Sequence, residues 1–235
     1  RYASRGLGDV YKRQILLNAK NIVVGFSGGI DSTLALAATN QFLETHGKKN
    51  CLTALHINHQ TQSASSKWQK HCEIFCKAHD INFLCEVVQI NETGQGYEAA
   101  ARSARLEIFN SLEEESVIIL GHHLDDQAET IFFRVLRGTG LKGLTGMQRN
   151  VKIHGKNFIR PLLHITKEDI HGHINNLKLN FIEDQSNTDN AYSRNFLRNQ
   201  IIPQIVERWP GAKKNTARMA NLLSKQSSLY HRCLL

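Results

Sequence analysis

The chain has 235 residues, of which 41% are hydrophobic and 21% are charged, a composition that is ordinary for a globular protein with a buried core. Its longest apolar runs, such as "VIIL" at 117–120, are too short to span a bilayer as a helix, so we expect no membrane partner. The net charge of +8 favours a polyanionic partner. Five cysteines without a CxxC pair or metal-finger spacing fit free thiols in a reducing cytosol, which predicts a cytoplasmic protein.

The first fourteen residues, "RYASRGLGDVYKRQ", differ in character from the rest of the chain. They carry four basic residues and one acidic residue, begin without methionine, and have no amphipathic or strand pattern leading into residue 15. We interpret residues 1–14 as a non-native or unstructured edge and leave them out of the fold prediction.

Four strand-helix units succeed one another from residue 21. The apolar runs predict strands at 21–26, 51–58, 82–90 and 116–123, and helical patterns come after them at 31–47, 65–80, 96–115 and 124–138. Four consecutive units of this kind predict an α/β fold with a doubly wound, mostly parallel sheet flanked by helices. Ligands in such sheets bind at the carboxyl ends of the strands.

The pattern changes after residue 138. A glycine-rich basic segment at 138–147, which we call the glycine loop, precedes an edge strand or extended segment at 158–163 and a helix at 166–179. A polar, turn-rich segment at 183–195 leads into a helical C-terminal extension that is interrupted at Pro203 and at Pro210-Gly211. We expect Pro203 to begin a new helix or to kink an existing one.

The turn after the first strand reads "FSGGIDS" at 26–32, and we call it the phosphate loop. It matches neither GxxxxGK[ST] nor GxGxxG, yet glycines and free N–H groups at a helix start suit phosphate oxygens. Asp31 beside a triphosphate requires Mg²⁺ between them. The alternative is a turn in which Asp31 and Ser32 only cap the helix. The candidate nucleotide-binding residues here are Ser27, Gly28, Gly29, Ile30, Asp31 and Ser32.

The segment "GHHLDDQAET" at 121–130 comes directly after the fourth strand. Asp126 and Glu129, which we call the acid pair, are three residues apart and share one helix face, with His122 and Asp125 just before them. Acids in a first helical turn also suit the helix dipole, and a zinc site would need a third ligand that the spacing does not supply. A carboxylate cluster for an amine substrate or for Mg²⁺ fits better.

Polar residues also mark the second strand and the third helix. His56, Asn58 and His59 end the second strand, where a nucleotide base or its phosphates would lie, although single histidines are more often packed or solvent-facing. Arg102 and Arg105 lie three residues apart on the third helix and can supply the positive charge that the phosphate loop lacks. The alternative is an ordinary Glu98–Arg102 pair on a helix surface.

Basic residues recur in the last third of the chain. The glycine loop and its flanks suit a flexible lid or an RNA-backbone contact, and the alternative for each cation is surface charge. The residues concerned are Arg134, Arg137, Lys142, Arg160, Arg194 and Arg198.

Taken in order, these segments resemble the catalytic domain of the tRNA(Ile)-lysidine synthetases, within the N-type ATP pyrophosphatase (PP-loop, adenine nucleotide alpha-hydrolase-like) fold. The resemblance covers about residues 18–225 and rests on "SGGIDS", "HINH", "EAAARSAR", "GHHLDDQAET", "RVLRGTGLKGLTGM", "RPLL" and "EDQSNTDNAYSRNFLRNQIIP". The chain departs from the family at Leu106, where a tyrosine is usual, and at 60–62, where glycine-leucine-arginine is frequent.

The resemblance implies a ligase that uses ATP and Mg²⁺ to join free L-lysine to C2 of the wobble cytidine in the anticodon loop of isoleucine tRNA. It implies a catalytic domain at 15–200 and a helical linker at 201–235 that leads toward a tRNA-binding region, and it admits a homodimer. Carried over to this chain, it assigns catalysis to Asp31 (also the Mg²⁺ ligand), His122, Arg105 and the acid pair. It assigns the nucleotide to the phosphate loop, His56 and Arg102, and the other substrates to the acid pair, Asp125, Arg137, Lys142, Arg194 and Arg198.

Two other functions are compatible with the same sequence. A tRNA thiolation enzyme of the same fold would commonly use a cysteine pair, and Cys72 and Cys76 lie four apart in a helix, where they look like core thiols. A non-catalytic nucleotide- or RNA-binding module is the second alternative, but it would not need carboxylates directed at an amine.

Overall fold

The computed structural model describes residues 10–58, 65–88, 97–183 and 188–233. His59 and the segment 60–62 lie outside these residues. The helices are α1 Val10–Asn18, α2 Ile30–Glu44, α3 Ser65–Ala78, α4 Tyr97–Ser111, α5 Leu124–Leu136, α6 Leu141–Leu144, α7 Lys167–Leu177, α8 Ser193–Phe196, α9 Ile202–Arg208 and α10 Ala212–Cys233. The strands are β1 Ile22–Gly25, β2 Leu52–Asn58, β3 Asn82–Val87, β4 Val117–Ile119, β5 Asn150–Ile153 and β6 Lys156–Ile159.

The strands form one six-stranded sheet in the order β3-β2-β1-β4-β6-β5. All neighbours are parallel except β5 and β6, which form an antiparallel hairpin. The predicted α/β fold with a mostly parallel sheet is therefore confirmed. The strand order reverses direction between β1 and β4, and in sheets of this kind that crevice is where ligands bind.

The prediction of an edge strand or extended segment at 158–163 overlaps the observed strand at 158–159, but the edge position is wrong. The strand is Lys156–Ile159, and it lies inside the sheet between β4 and β5. The sequence did not reveal β5, "NVKI", because a four-residue strand with two polar residues carries almost no periodic signal. Once β5 covers β6 on one side and β4 pairs with it on the other, β6 loses its free edge.

The core covers both faces of the sheet. Ile22 and Val24 of β1 contribute to the larger cluster, while Val23 points to the second cluster with Phe109 and Phe158. This alternation is the period of two that a strand buried on both faces requires. Within the described residues, no helix combines the length and the apolar character needed to cross a membrane.

The first and last helices pack on the rest of the domain, α1 through the buried Leu16 and α10 through its contacts with α5 and α6. Residues 10–14, placed in the excluded edge by the sequence, form the first half of α1. Pro203 lies in the first turn of α9. This agrees with the first of the two predicted outcomes, in which Pro203 begins a new helix. Helix α10 packs along α5 and α6, where Lys213 Nζ donates to Asp125 Oδ1 and Ser224 Oγ donates to Gln148 Oε1 at 2.7 Å. The boundary at residue 200 stays a prediction.

Replacing Lys213 with methionine should loosen the contact between α10 and α5. The change removes one hydrogen bond to a buried carboxylate, so we expect the free energy of unfolding to fall by about 1 to 2 kcal/mol. Urea denaturation measures the loss, and hydrogen exchange should show faster exchange in α10. Lys214→Met, at an exposed neighbour on the same helix, is the matched control and should leave both unchanged. Equal behaviour of the two variants would contradict the contact.

Candidate active site

The candidate site lies where the loops after β1 and β4 meet. Gly121, just after β4, packs directly on the first turn of α2: a Cβ built on Gly121 would stand 2.9 Å from Asp31 C and O and 3.0 Å from Ser32 N. Only glycine permits this approach, because side-chain carbons do not come within 3.0 Å of backbone atoms without displacement. The contact brings the phosphate loop beside the start of α5.

The phosphate loop is held in shape by its own hydroxyls. Ser27 and Ser32 Oγ atoms lie 3.1 Å apart, and Ser32 Oγ donates to Gly29 O at 3.0 Å. Gly28 has φ +83°, a conformation that favours glycine, and its carbonyl accepts the Ile182 N–H at 2.8 Å. Gly29 is the N-cap of α2 without a side-chain cap, so helix N–H groups at this end are available to an anion.

His123 joins the two halves of the site. Its Nδ1 accepts the Asp125 N–H at 3.2 Å as the cap of α5, so in the neutral ring the proton lies on Nε2. That Nε2 faces Asp31 Oδ1 at 3.6 Å and Asp126 Oδ2 at 3.5 Å. The side chain is only 4% exposed. A buried imidazole therefore bridges the carboxyl of the phosphate loop and the first member of the acid pair.

Asp31 fits the role of a cation ligand. Its Oδ1 is buried and has no hydrogen-bond partner among the described residues. Burial raises the pKa of the Asp31 carboxyl, and nearby His123 opposes this shift. A buried carboxylate oxygen that no donor satisfies is the kind of ligand Mg²⁺ accepts. No group of three potential ligands lies in position to hold a metal within the described ranges, so phosphate oxygens and water would complete its coordination.

Arg198 is hydrogen-bonded to both members of the acid pair. Its Nε and Nη2 donate to Glu129 Oε1 and Oε2 at 2.6 and 2.7 Å, and Nη2 also lies 3.3 Å from Asp126 Oδ1. Arg198 belongs to a π-helical stretch, Leu197–Ile201, between α8 and α9. Burial raises the pKa of Glu129 although Arg198 opposes it, while the pKa of Arg198 is raised by its hydrogen bond to Glu129. The sequence placed Arg198 on tRNA and did not foresee this pair.

Asp125 is hydrogen-bonded to groups outside the acid pair. Its Oδ2 accepts the Lys167 N–H at 3.0 Å and its Oδ1 accepts Lys213 Nζ. Burial alone would raise the pKa of Asp125, but these two hydrogen bonds outweigh it and lower the pKa. The carboxylate thus ties α5 to α7 and α10.

His122 has a different partner from its neighbour His123. Arg160 Nε donates to His122 Nδ1 at 3.3 Å, and Arg160 Nη1 donates to Gln148 O at 2.7 Å. Burial lowers the pKa of His122 to about 4 against the pull of Asp126, and burial lowers the pKa of Arg160 to about 10. His122 is therefore a neutral hydrogen-bond acceptor at neutral pH.

His56 is buried under the phosphate loop and contacts its backbone. Its Nδ1 lies 2.9 Å from Phe26 O, and Cys72 Sγ lies 3.6 Å from the same nitrogen. Burial lowers the pKa of His56 although the hydrogen bond to Phe26 opposes it. Cys72 Sγ also stands 3.0 Å from where a Cβ on Gly28 would lie. The strand-end histidine that the sequence assigned to the nucleotide is thus buried beneath the loop.

The glycine loop is anchored to α5 at several points. Gln127 donates to Met147 O at 3.0 Å and accepts the Met147 N–H at 2.7 Å. Arg134 Nη1 donates to Gly143 O at 2.8 Å, and Gly146 has φ +63° against the Gln127 amide. The segment includes a short helix, α6, and these contacts argue against a freely moving lid.

The remaining predicted cations lie on α4, at the end of α5, on α6 and on α8, and none of them is buried. Arg102 and Arg105 are exposed on α4 and both lower the pKa of His122, which places them within electrostatic reach of it. The Arg137 and Arg194 guanidiniums lie 5.2 and 5.9 Å from the centre of the Phe133 ring. Lys142 is exposed on α6, within the glycine loop.

The sequence analysis assigned no role to His123 and did not predict the contact between Arg160 and His122. The signal for His123 was its place immediately before an acid-rich helix start, which is where a capping side chain belongs. Arg160 carried no such signal, because its partners come from segments 12 and 38 residues away.

A comparison with known families gives a match over residues 3–205, to the family described as PP-loop domain. The chain belongs to the PP-loop domain family. Membership of this ATP-utilising family implies that the chain uses ATP. The fold and the loop after β1 are therefore those of a family member.

Curated relatives of this PP-loop chain include proteins named tRNA(Ile)-lysidine synthase. The one from Legionella pneumophila (strain Paris) is 40% identical over 202 residues, which cover 86% of this chain and 46% of that protein. The one from Histophilus somni (strain 2336) is 39% identical over 214 residues, covering 91% of this chain and 50% of that protein. The chain thus spans about half the length of these relatives.

A solved structure of the U34-tRNA thiolase NcsA from Methanococcus maripaludis shares the PP-loop fold. It has a TM-score of 0.74 at 19% identity, with 95% of this chain and 78% of that chain covered. At this identity the likeness shows the fold alone.

Replacing Gly121 with alanine should separate the two halves of the site. The added methyl group would meet the backbone of Asp31, so we expect a loss of roughly 1 to 3 kcal/mol in the free energy of unfolding, typical of overpacking. Urea denaturation measures this. Gly172→Ala on α7, where nothing lies within 4 Å of the new atom, is the control and should be neutral or stabilising. A Gly121→Ala variant as stable as the original would contradict the close approach.

Stability should fall as the pH is lowered from about 6.5 to about 4, in part because of His122. In this window the unfolded chain binds a proton at residue 122 and the folded chain does not, so acid favours unfolding. Replacement of His122 by asparagine keeps an acceptor for Arg160 but removes the titration, and should flatten the dependence. Denaturant unfolding across the window measures both slopes, with His154→Asn in the exposed β5–β6 turn as control. An unchanged slope in His122→Asn would refute this origin.

Proposed function

We propose that the chain catalyses ATP-dependent ligation of L-lysine to C2 of the wobble cytidine of isoleucine tRNA, releasing AMP and pyrophosphate. The observation that carries the proposal is the meeting of three carboxylates beside a phosphate loop, with His123 Nε2 within 3.6 Å of Asp31 and 3.5 Å of Asp126. An enzyme that binds a triphosphate and an alkyl ammonium side by side needs both kinds of group. The names of the curated relatives support the same reaction.

In the first step the cytidine C2 oxygen attacks the α-phosphorus of ATP and pyrophosphate leaves. The phosphate-loop N–H groups and the hydroxyls of Ser27 and Ser32 are proposed to hold the phosphates. Asp31 is proposed to hold Mg²⁺, which would offset the charge of the leaving pyrophosphate. Arg102 and Arg105 are proposed to reach the phosphates or AMP from α4. His56 is proposed to affect nucleotide binding indirectly, because its contact with Phe26 O positions the phosphate loop.

In the second step the lysine ε-amine attacks C2 and AMP leaves. The acid pair is proposed to bind the incoming ammonium and to take up the proton that the amine must lose before it attacks. His122, neutral and fixed by Arg160, is proposed to orient substrate groups next to Asp126. Asp125 is proposed to contribute through the position of α5.

The anticodon loop of the tRNA is proposed to contact basic side chains around the site. Arg137, Lys142, Arg194 and Arg198 are the residues assigned to it, and the Arg137 and Arg194 guanidiniums that lie over Phe133 offer flat cationic surfaces for bases or phosphates. The proposal includes free L-lysine as a partner, a cytoplasmic location and the homodimer that the resemblance admits.

The thiolation alternative is disfavoured by the two cysteines of α3. Cys72 and Cys76 are fully buried, which confirms the prediction of core thiols, and burial raises the pKa of each to about 12. Thiols of this kind are poor nucleophiles, because the thiolate is the reactive form. A non-catalytic binding module leaves the acid pair beside the phosphate loop without a purpose.

The acid pair can be tested with Asp126→Asn. We expect AMP release from ATP to require both isoleucine tRNA and lysine, and to fall about 100-fold or more in the variant because the amine loses a carboxylate partner. Release of labelled AMP over time, with and without lysine, measures the effect.

The matched control is Glu168→Gln, which removes an exposed acid from the first turn of α7 and should leave the rate unchanged. AMP release that does not depend on lysine, or transfer of sulfur to the tRNA, would overturn the proposed reaction. Full activity of Asp126→Asn would remove Asp126 from the mechanism while leaving the reaction standing.

A further inference from the structure

The acid pair already holds a cation that belongs to the chain. The Arg198 guanidinium donates to both oxygens of Glu129 and lies within hydrogen-bond distance of Asp126 Oδ1, while Asp126 Oδ2 accepts the His123 N–H at 3.0 Å. All four oxygens of the acid pair therefore accept a hydrogen bond in the absence of substrate. An alkyl ammonium that approaches the acid pair meets oxygens that already have donors.

The charges around the acid pair also indicate that its cation site is already filled by Arg198. Asp31, Asp126 and Glu129 supply three acidic groups, and Arg198 is the guanidinium in contact with two of them. Glu129 is only 7% exposed at its side chain, so an ammonium reaches it by replacing Arg198 rather than by approaching from another side. Two cations on one buried carboxylate would repel each other.

Arg198 is placed where it can leave. Its side chain is 31% exposed, unlike that of Glu129 beneath it. It extends from the π-helical stretch Leu197–Ile201, a distortion that is frequently found at functional sites. The neighbouring Arg194, one helical turn earlier, lies over the Phe133 ring at 5.9 Å from its centre, so a second cation stands close to Arg198 in the chain.

We propose that Arg198 is an internal competitor for the amine site, and that it must leave Glu129 before a substrate ammonium can bind the acid pair. An anion that attracts Arg198, such as a phosphate of the RNA or of the adenylated intermediate, would free the pair. Amine binding would thereby come after RNA binding. This inference rests on the proposed function for the identity of the amine and of the anion, but the competition itself is a property of this chain.

The test measures binding of two amines to the whole chain without RNA, by isothermal titration calorimetry. The probes are L-lysine and n-butylammonium, which carries the alkyl ammonium alone. We expect Arg198→Met to bind both about tenfold more tightly than the original chain, because the competitor is gone. Arg208→Met, at an exposed arginine on α9, is the control and should change neither affinity. The double variant Arg198→Met/Glu129→Gln should lose the gain, since it depends on the freed carboxylate.

A second comparison introduces the RNA. Addition of an isoleucine tRNA anticodon stem-loop should tighten lysine binding in the original chain but not in Arg198→Met. If Arg198→Met destabilises the fold, as judged by circular dichroism, Arg198→Lys replaces it, because a single ammonium cannot hold both Glu129 oxygens and should give a smaller gain of the same sign.

The outcomes separate the competition from the proposed reaction. Unchanged or weaker binding of both amines in Arg198→Met and Arg198→Lys would overturn the inference, whatever reaction the chain catalyses. A gain for n-butylammonium without one for lysine would uphold the competition and reject lysine as the amine. A gain for both with no effect of the stem-loop would reject RNA as the releasing anion and with it the proposed order of binding.

Discussion

The site depends on one close contact, the approach of the Gly121 backbone to the first turn of α2. Because no side chain stands between them, Asp31 of the phosphate loop and His123 of the α5 cap come within 3.6 Å. β1 and β4 are neighbours at the point where the strand order reverses, so the sheet brings the two loops together and the glycine sets how close they come. The His123 cap then fixes the distance from Asp31 to the acid pair. In the proposed reaction this separation would place the nucleotide and the amine next to each other.

Internal cations neutralise most of the acids that this contact gathers. Lys213 and the Lys167 N–H satisfy Asp125, and Arg198 satisfies Glu129. Buried carboxylates without such partners would be costly, and pairing is the ordinary solution. Asp31 is the exception among the described acids of the site, since its buried Oδ1 has no donor. The chain thus folds with three acids, Asp125, Asp126 and Glu129, stabilised by its own cations, and with one Asp31 oxygen that a bound cation would satisfy.

The sequence predicted the four strand-helix units because local apolar periodicity determines them, and it located the phosphate loop and the acid pair because their residues are adjacent in the chain. It did not predict the β5–β6 hairpin, whose four-residue strands carry little periodicity. It also could not predict that Arg198 reaches Glu129, 69 residues away, or that Lys213 reaches Asp125, 88 residues away. The predicted helix start at Leu124 marks His123 as the cap position, whereas the contact of His122 with Arg160, 38 residues away, has no local signal.

The phosphate loop contains no lysine, and the arrangement of its neighbours explains how it can work without one. Its hydroxyls bond to each other and to the loop backbone, so the loop is shaped before any ligand arrives. In the proposed reaction, positive charge would come instead from arginines on other elements, with Arg102 and Arg105 on α4 and Arg198 after α8. An arginine on a separate element can bind another group and so move away from the phosphates, whereas a lysine within the loop would always lie beside them. A reaction with two successive substrates, one anionic and one cationic, benefits from cations that can change partners.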